Sequence, residues 1–325
     1  MSSRAYLQNL QEQIESYLRR AIPRGDVEAL YEPARYVLEA GGKRLRPLLV
    51  LLACEAHGGR AGDALPAAAA VELFHSFTLV HDDIMDHSET RRGRPTVHMR
   101  WGAEAAILAG DLLMGLSYFE LSRAAVADVR PLIGCLHLTM LRLCEGQMLD
   151  KTYESRQDVS IAEYWEMVAR KTGALLAGAL EIGARIGGAS EADLEGMRQM
   201  GWALGRAFQL QDDYLDLMAD PRTWGKPIGQ DILEGKRTYL LLAALERARG
   251  ASDRALLDRI LGRRSGPEDV TAARELYARL GVLREAEALI RAYYAEARSM
   301  LQALPPSPAR DGLEAVMEEL SGRLR

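Results

Sequence analysis

Apolar residues recur at helical spacing along almost the whole chain. Between Met197 and Met218, the set Met197, Met200, Ala203, Leu204, Ala207, Phe208 and Leu210 follows the i, i+3, i+4, i+7 order of a buried helix face. Alternating strand patterns around Asn-Gly or Asp-Gly are missing, so the pattern predicts helices and no hairpins. Breaks fall at Gly41-Gly42, Gly58-Gly59, Arg92–Pro95, Arg130-Pro131, Gly187-Gly188, Asp220-Pro221, Gly266-Pro267 and Leu304–Pro308. They divide the chain into roughly a dozen helices of ordinary to long length. No stretch has linker composition, so residues 1–325 read as a single all-α domain, with a short C-terminal helix after the Pro-rich break.

Composition sharpens this picture. Hydrophobic residues make up 48% of the 325 and aromatics only 6%, a balance that suits helices better than sheets. The net charge of −5 argues against nucleic acid, so any basic residues that matter must be local clusters. Cys54, Cys135 and Cys144 are odd in number and lack CxxC spacing, as expected of buried core thiols in a reducing compartment. The N-terminus has no apolar signal segment and no apolar run is long enough to span a membrane, so the expected location is cytoplasmic.

Two short stretches echo each other. FTLVHDDIMD (77–86) and FQLQDDYLD (208–216) both run an apolar helix into DDxxD. On a helix, Asp82 and Asp86 share a face about 6 Å apart along the axis, as do Asp212 and Asp216. Like charges at that spacing repel, and a divalent cation between them removes the penalty. Oxygen-only ligands favour Mg²⁺ or Mn²⁺, and Mg²⁺ typically takes one or two carboxylates plus substrate phosphates. One such motif alone could be a solvated acidic face; two copies at apolar helix ends argue against it. Basic clusters supply the counterpart: GGKRLRP (41–47), Arg91 and Arg92 just past the first acids, Lys171-Thr172-Gly173, and the glycine-punctuated GKPIGQDILEGKRT (225–238) with Lys226 and Lys236. The last is loop-like and basic, as a lid over phosphate would be. Together they suggest a cavity for more than one diphosphate.

In this order, GGKRLRP, ELFHSFTLVHDDIMDHSETRRGRP, KTG, FQLQDDYLD and GKPIGQDILEGK resemble the trans-isoprenyl diphosphate synthases, or polyprenyl synthetases, over roughly residues 35–240. The resemblance implies the isoprenoid synthase fold, antiparallel helices around a deep central cavity, normally as a homodimer. It implies head-to-tail condensation of isopentenyl diphosphate with an allylic diphosphate (dimethylallyl, geranyl or farnesyl). Asp82, Asp86 and Asp212 would hold three Mg²⁺, with Mn²⁺ as a substitute, and Asp83 and Asp216 would complete the acidic shells. Arg91, Lys171, Lys226 and Lys236 would grip the allylic diphosphate. Lys43, Arg46, His75 and Arg92 would bind the isopentenyl diphosphate, and Thr172 and Gln209 would turn oxygens toward the cation.

Chain length in this family is set just before the first motif. Phe77 and Phe74 lie five and eight residues before Asp82, about 7.5 and 12 Å of helix. An aromatic at minus five with the small Thr78 at minus four resembles geranylgeranyl (C20) synthases, with farnesyl (C15) or C25 synthases as alternatives; both phenylalanines could instead be ordinary core. Other classes compete. His81-Asp82 could be the dyad of an HD-type metal phosphohydrolase, and a non-catalytic prenyltransferase subunit would share the fold. Gln147 and Asp150 read equally as cavity lining or as a buried polar pair. The apolar stretch 103–127 is a candidate dimer interface.

Overall fold

The computed structural model describes residues 3–220 and 228–322, and the described residues are helical apart from one two-stranded hairpin. They carry sixteen α-helices, more than the apolar pattern suggests because short helices such as Val97–Trp101 and Gln230–Leu233 span single turns between longer ones. Packing divides the chain into two compact units, one of residues 1–139, 175–199 and 300–316, the other of 140–174, 200–299 and 317–325.

The first unit is built on α1 (Ser3–Ala21), α2 (Glu28–Glu39), α3 (Leu45–Ala56) and α4 (Ala61–Met85). The hairpin β1 (Thr90–Arg91) and β2 (Arg94–Pro95), α5 (Val97–Trp101) and α6 (Ala103–Leu121) follow. α4 has no polar stripe over most of its length. Ala67 to Ala70, Val71, Leu73 and Phe74 are all buried, as expected of a helix enclosed on every side. It packs against α1, α2, α3, α5 and α6. Small residues bring neighbours close: a Cβ on Gly183 would stand 2.1 Å from the Val50 carbonyl oxygen, so the helix bearing Gly183 lies directly on α3.

The hairpin corrects the expectation that none would form. Arg92 (φ 54°) and Gly93 (φ 72°) both take the left-handed backbone that a two-residue antiparallel turn of this hand requires. The turn chemistry is Arg-Gly instead of Asn-Gly, which is why the usual signal is missing. Tyr36 fixes the hairpin: its hydroxyl donates to the Pro95 carbonyl at 2.9 Å, and the Arg94 and Arg100 guanidiniums lie 4.0 and 4.8 Å from its ring centre.

After α7 (Arg130–Tyr153), the second unit continues with α8 (Ile161–Val168), which opens on a capping box between Ser160 and Glu163. A π-helical turn over Ala169–Gly173 leads to α9 (Ala174–Gly187), which returns to the first unit, and then to α10 (Glu191–Met218), whose residues from 200 on belong to the second. Gly146, Gly173 and Gly205 surround that turn. A Cβ on Gly146 would lie 2.3 Å from the Lys171 backbone nitrogen, and one on Gly205 would lie 2.4 Å from the Gly173 Cα. Cys54 and Cys135 are buried as expected, whereas Cys144 is exposed, contrary to its reading as core.

Candidate functional site

In the first unit the basic cluster is assembled around an ion triad whose Arg44–Glu72 pair is buried. Arg44 precedes α3 with a left-handed backbone (φ 47°), a conformation that costs a non-glycine residue about 1–3 kcal/mol. Its guanidinium offsets that cost by donating to Glu15 at 2.7 Å, Glu72 at 2.6 Å and the Leu38 carbonyl at 2.5 Å. Arg44 and Glu72 side chains are only 3% and 4% exposed, so the pair is desolvated and depends on every hydrogen bond it makes. The loop this pins carries Lys43, whose carbonyl accepts from Gln11 at 3.3 Å, and leads into Arg46.

Arg46 donates to His75 Nε2 at 3.1 Å, which places the imidazole proton on Nδ1. Burial, and then the charges of Arg46, Arg92, Arg91 and Arg44, hold His75 well below the ordinary histidine range, so it is neutral beside guanidiniums. Arg92 closes the group: its guanidinium rests against the bare Cα of Gly42, where a Cβ would meet it at 2.8 Å. Three of the expected isopentenyl-side residues, Arg46, His75 and Arg92, are thus brought together, with Lys43 on the same anchored loop.

The first acidic motif ends α4. Asp82 is partly exposed and Asp86, the C-terminal cap residue, is exposed; the i, i+4 spacing puts them on one face. Asp83 does something else. It is buried, and Arg91 Nη2 lies 2.7 Å from its Oδ1. Burial pushes its carboxyl up, and Arg91 pulls against that. Asp83 therefore steers Arg91 from within the acidic motif. His81 turns to α6, with Nε2 3.3 Å from the Ile107 carbonyl and its ring against Phe77 at 4.9 Å. Phe77 meets Phe74 edge-on at 5.4 Å, and Thr78 donates to the His75 carbonyl at 2.8 Å. Phe74 is fully buried and Phe77 nearly so.

In the second unit the π turn presents Lys171 and Thr172. Lys171 is 2.5 Å from Asp150, which gives Asp150 a definite partner, while the buried Gln147 amide makes no hydrogen bond. Thr172 Oγ1 donates to Gln209 Oε1 at 2.8 Å, and Gln209 Nε2 donates to Asp213 Oδ1 at 2.9 Å. Tyr164 donates to the other Asp213 oxygen at 2.7 Å. Asp213 was missed by the sequence reading, although its i, i+4 spacing from Gln209 carries the signal. Burial and then the charge of Asp231 push Asp213 up to about 8.

Asp212 lies on α10, partly exposed. Asp216 accepts from the Asp231 backbone N–H at 3.1 Å and so caps the turn into Gln230–Leu233. Lys236 sits 3.2 Å from Asp231 and 3.1 Å from Glu234; burial opposes its charge, but the two carboxylates outweigh it and raise its pKa. Lys226 lies outside the described residues.

The donor chemistry fits a hard divalent cation. Among the described residues no group of three or more His, Cys, Asp or Glu side chains could by itself hold a metal ion. Two carboxylates on one helix face suit an ion that completes its shell with water and substrate oxygens.

A family model described as polyprenyl synthetase matches residues 27–280. A short chain isoprenyl diphosphate synthase of Methanothermobacter thermautotrophicus is 41% identical over 314 residues, 96% of each chain. A geranylgeranyl diphosphate synthase of Methanosarcina mazei is 38% identical, over 98% of this chain and 97% of its own. The crystal structure of geranylgeranyl pyrophosphate synthetase from Pyrococcus horikoshii superposes with a TM-score of 0.91 at 37% identity, covering 98% of this chain and 97% of the other.

Proposed function

The chain belongs to the polyprenyl synthetase family and is a prenyltransferase, and from that premise we propose the roles of its residues and its product. The reaction is the head-to-tail condensation of isopentenyl diphosphate with an allylic diphosphate. We assign the product as geranylgeranyl diphosphate, C20, in agreement with Phe77 and Thr78 before the first motif and with the relatives named above. The observation that carries the reading is the first unit's pairing of functions on α4. One end bears carboxylates of the Mg²⁺ type, while His75 on the same helix joins Arg46 and Arg92 in a cluster that needs no metal to attract an anion.

In this proposal Asp82, Asp86 and Asp212 are Mg²⁺ ligands, three ions serving the allylic diphosphate, with Mn²⁺ able to substitute. Held there, the ions would supply positive charge to the departing diphosphate as the C–O bond breaks. Arg91, Lys171, Lys226 and Lys236 add positive charge to the same leaving group. For Lys171 this means exchanging Asp150 for a phosphate oxygen. Lys43, Arg46, His75 and Arg92 fix isopentenyl diphosphate, whose double bond attacks C1 of the allylic cation. Thr172 and Gln209 face the cation with oxygen lone pairs. The proton lost afterwards leaves with the diphosphate, so no side chain need serve as base.

A homodimer, a cytoplasmic location and a single catalytic domain over residues 1–325 complete the proposal. No helix among the described residues is long and apolar enough to cross a membrane. The test is product length. Purified protein is incubated with Mg²⁺, labelled isopentenyl diphosphate and each allylic primer, and the dephosphorylated products are sized by chromatography. A C20 endpoint that lengthens in Phe77→Ala is expected. A C15 or C25 endpoint would correct the product, and no condensation would overturn the assignment of the acidic motifs.

A further inference from the structure

The Thr172–Gln209–Asp213 chain has a direction. We propose that Asp213 is a positioning residue that sets the polarity of the oxygens facing the cation, an inference that rests on the functional reading above. A carboxylate oxygen accepts and an amide nitrogen only donates, so Asp213 Oδ1, 2.9 Å from Gln209, takes the Nε2 end of the amide. That forces Oε1 to the opposite side, where Thr172 Oγ1 lies at 2.8 Å. An oxygen facing an oxygen requires the threonine hydroxyl to donate. Its single hydrogen is then committed to Gln209, and both lone pairs of Oγ1 are left on the sides away from it.

The alternative arrangement is chemically plausible in isolation. A reversed Gln209 amide would donate to Thr172 and free its hydroxyl hydrogen to point elsewhere. A hydrogen aimed at a carbocation destabilises it, whereas a lone pair stabilises it. The difference between the two states is one amide rotation, and Asp213 is what decides it. Tyr164, 1% exposed, occupies the second carboxylate oxygen and lies outside this relay. A proton on Oδ2 would leave the polarity intact, since Oδ1 still accepts from Gln209. Both ends of the relay are buried, Thr172 at 9% and Asp213 at 6% exposure, so water is poorly placed to substitute for either partner.

The experiment is a double-mutant cycle on the full-length protein with Mg²⁺, isopentenyl diphosphate and an allylic primer. Asp213→Asn keeps the size but replaces one of the two acceptor oxygens by an NH₂, so the Gln209 amide is no longer held to one orientation. It is expected to lower kcat about 10- to 100-fold with KM for both diphosphates unchanged. Thr172→Val is expected to lower kcat comparably, and adding Asp213→Asn to it should cost nothing more, because no hydroxyl remains to be oriented. Tyr164→Phe preserves both acceptor oxygens and should hold kcat within about threefold. Asp213→Ser replaces Asp213→Asn in the cycle if the latter does not fold. Additive losses, a fall confined to KM, or an equal loss in Tyr164→Phe would overturn the relay while leaving the prenyltransferase reading standing. A wild-type chain that forms no longer prenyl diphosphate would overturn both.

Discussion

His75 shows how one residue carries both fold and chemistry. Its ring accepts from Arg46, and burial together with four guanidiniums keeps it neutral in the folded chain. An unfolded histidine titrates near 6.5, so between that value and the depressed native one the unfolded state binds a proton that the native state does not. The contribution to stability is therefore full above about pH 6.5 and lost progressively as pH falls below it, by up to about 1.4 kcal/mol per unit. Denaturant melts at pH 7.5 and 5.5 should show the wild type losing more stability than His75→Gln, by on the order of 1 kcal/mol. Inorganic diphosphate should narrow that gap, because an anion offsets the guanidiniums. Equal losses in the two proteins would refute the neutral His75. Much of this cluster was legible in the sequence, since GGKRLRP stands out as clustered charge and the family resemblance points to His75. Glu72 was not, because a glutamate inside an apolar helix announces itself only once Arg44 is seen beside it.

At the scale of elements, periodicity located the long helices and the glycine breaks, but three devices that aim the site escaped it. The Arg92-Gly93 turn places a strained arginine on Gly42. The π turn Ala169–Gly173 inserts a residue that no 3.6-residue pattern can reveal, and so brings both Lys171 and Thr172 forward. Asp83 and Asp216, read as parts of acidic shells, also hold Arg91 and the Asp231 backbone, partners that the local pattern does not name. All three reflect tertiary neighbours overriding local pattern. The π turn survives because α10 can approach it at Gly205. Gly205→Ala would drive a methyl into the Gly173 Cα at 2.4 Å, a backbone atom that cannot rotate away. The expected result is a loss of about 1–3 kcal/mol in stability and a fall in kcat larger than the change in KM for isopentenyl diphosphate. Since the cluster at Arg46 and His75 belongs to the other unit, unchanged kcat in a destabilised variant would show that the turn does not set Thr172.

On the scale of the molecule, the apolar budget of α6 is not closed by the folded chain. Leu108, Asp111, Gly115 and Phe119 fall on one face at spacings of three and four, and all are exposed, Leu108 at 57% and Phe119 at 58%. Ile107 and Leu138 add exposed aliphatic surface in the same unit. A Cβ on Gly115 would meet nothing within 4 Å, which leaves room there for a second helix to approach. Sequence alone marks the stretch as apolar without saying whether core or neighbour covers it; in the folded unit these side chains stay outside the core, and a second copy of the chain is the occupant we propose. Large apolar side chains exposed this far on one helix face, here around Asp111, suit a subunit contact better than open solvent. Sedimentation should therefore find a dimer in the wild type, and Leu108→Glu combined with Phe119→Glu should give a monomer, because each buried carboxylate would face apolar surface without a partner. The double variant should keep its helical circular dichroism, as neither side chain contributes to its own unit's core. A monomeric wild type, or a dimer that survives both charges, would place the subunit contact elsewhere and leave this face of α6 for a different partner.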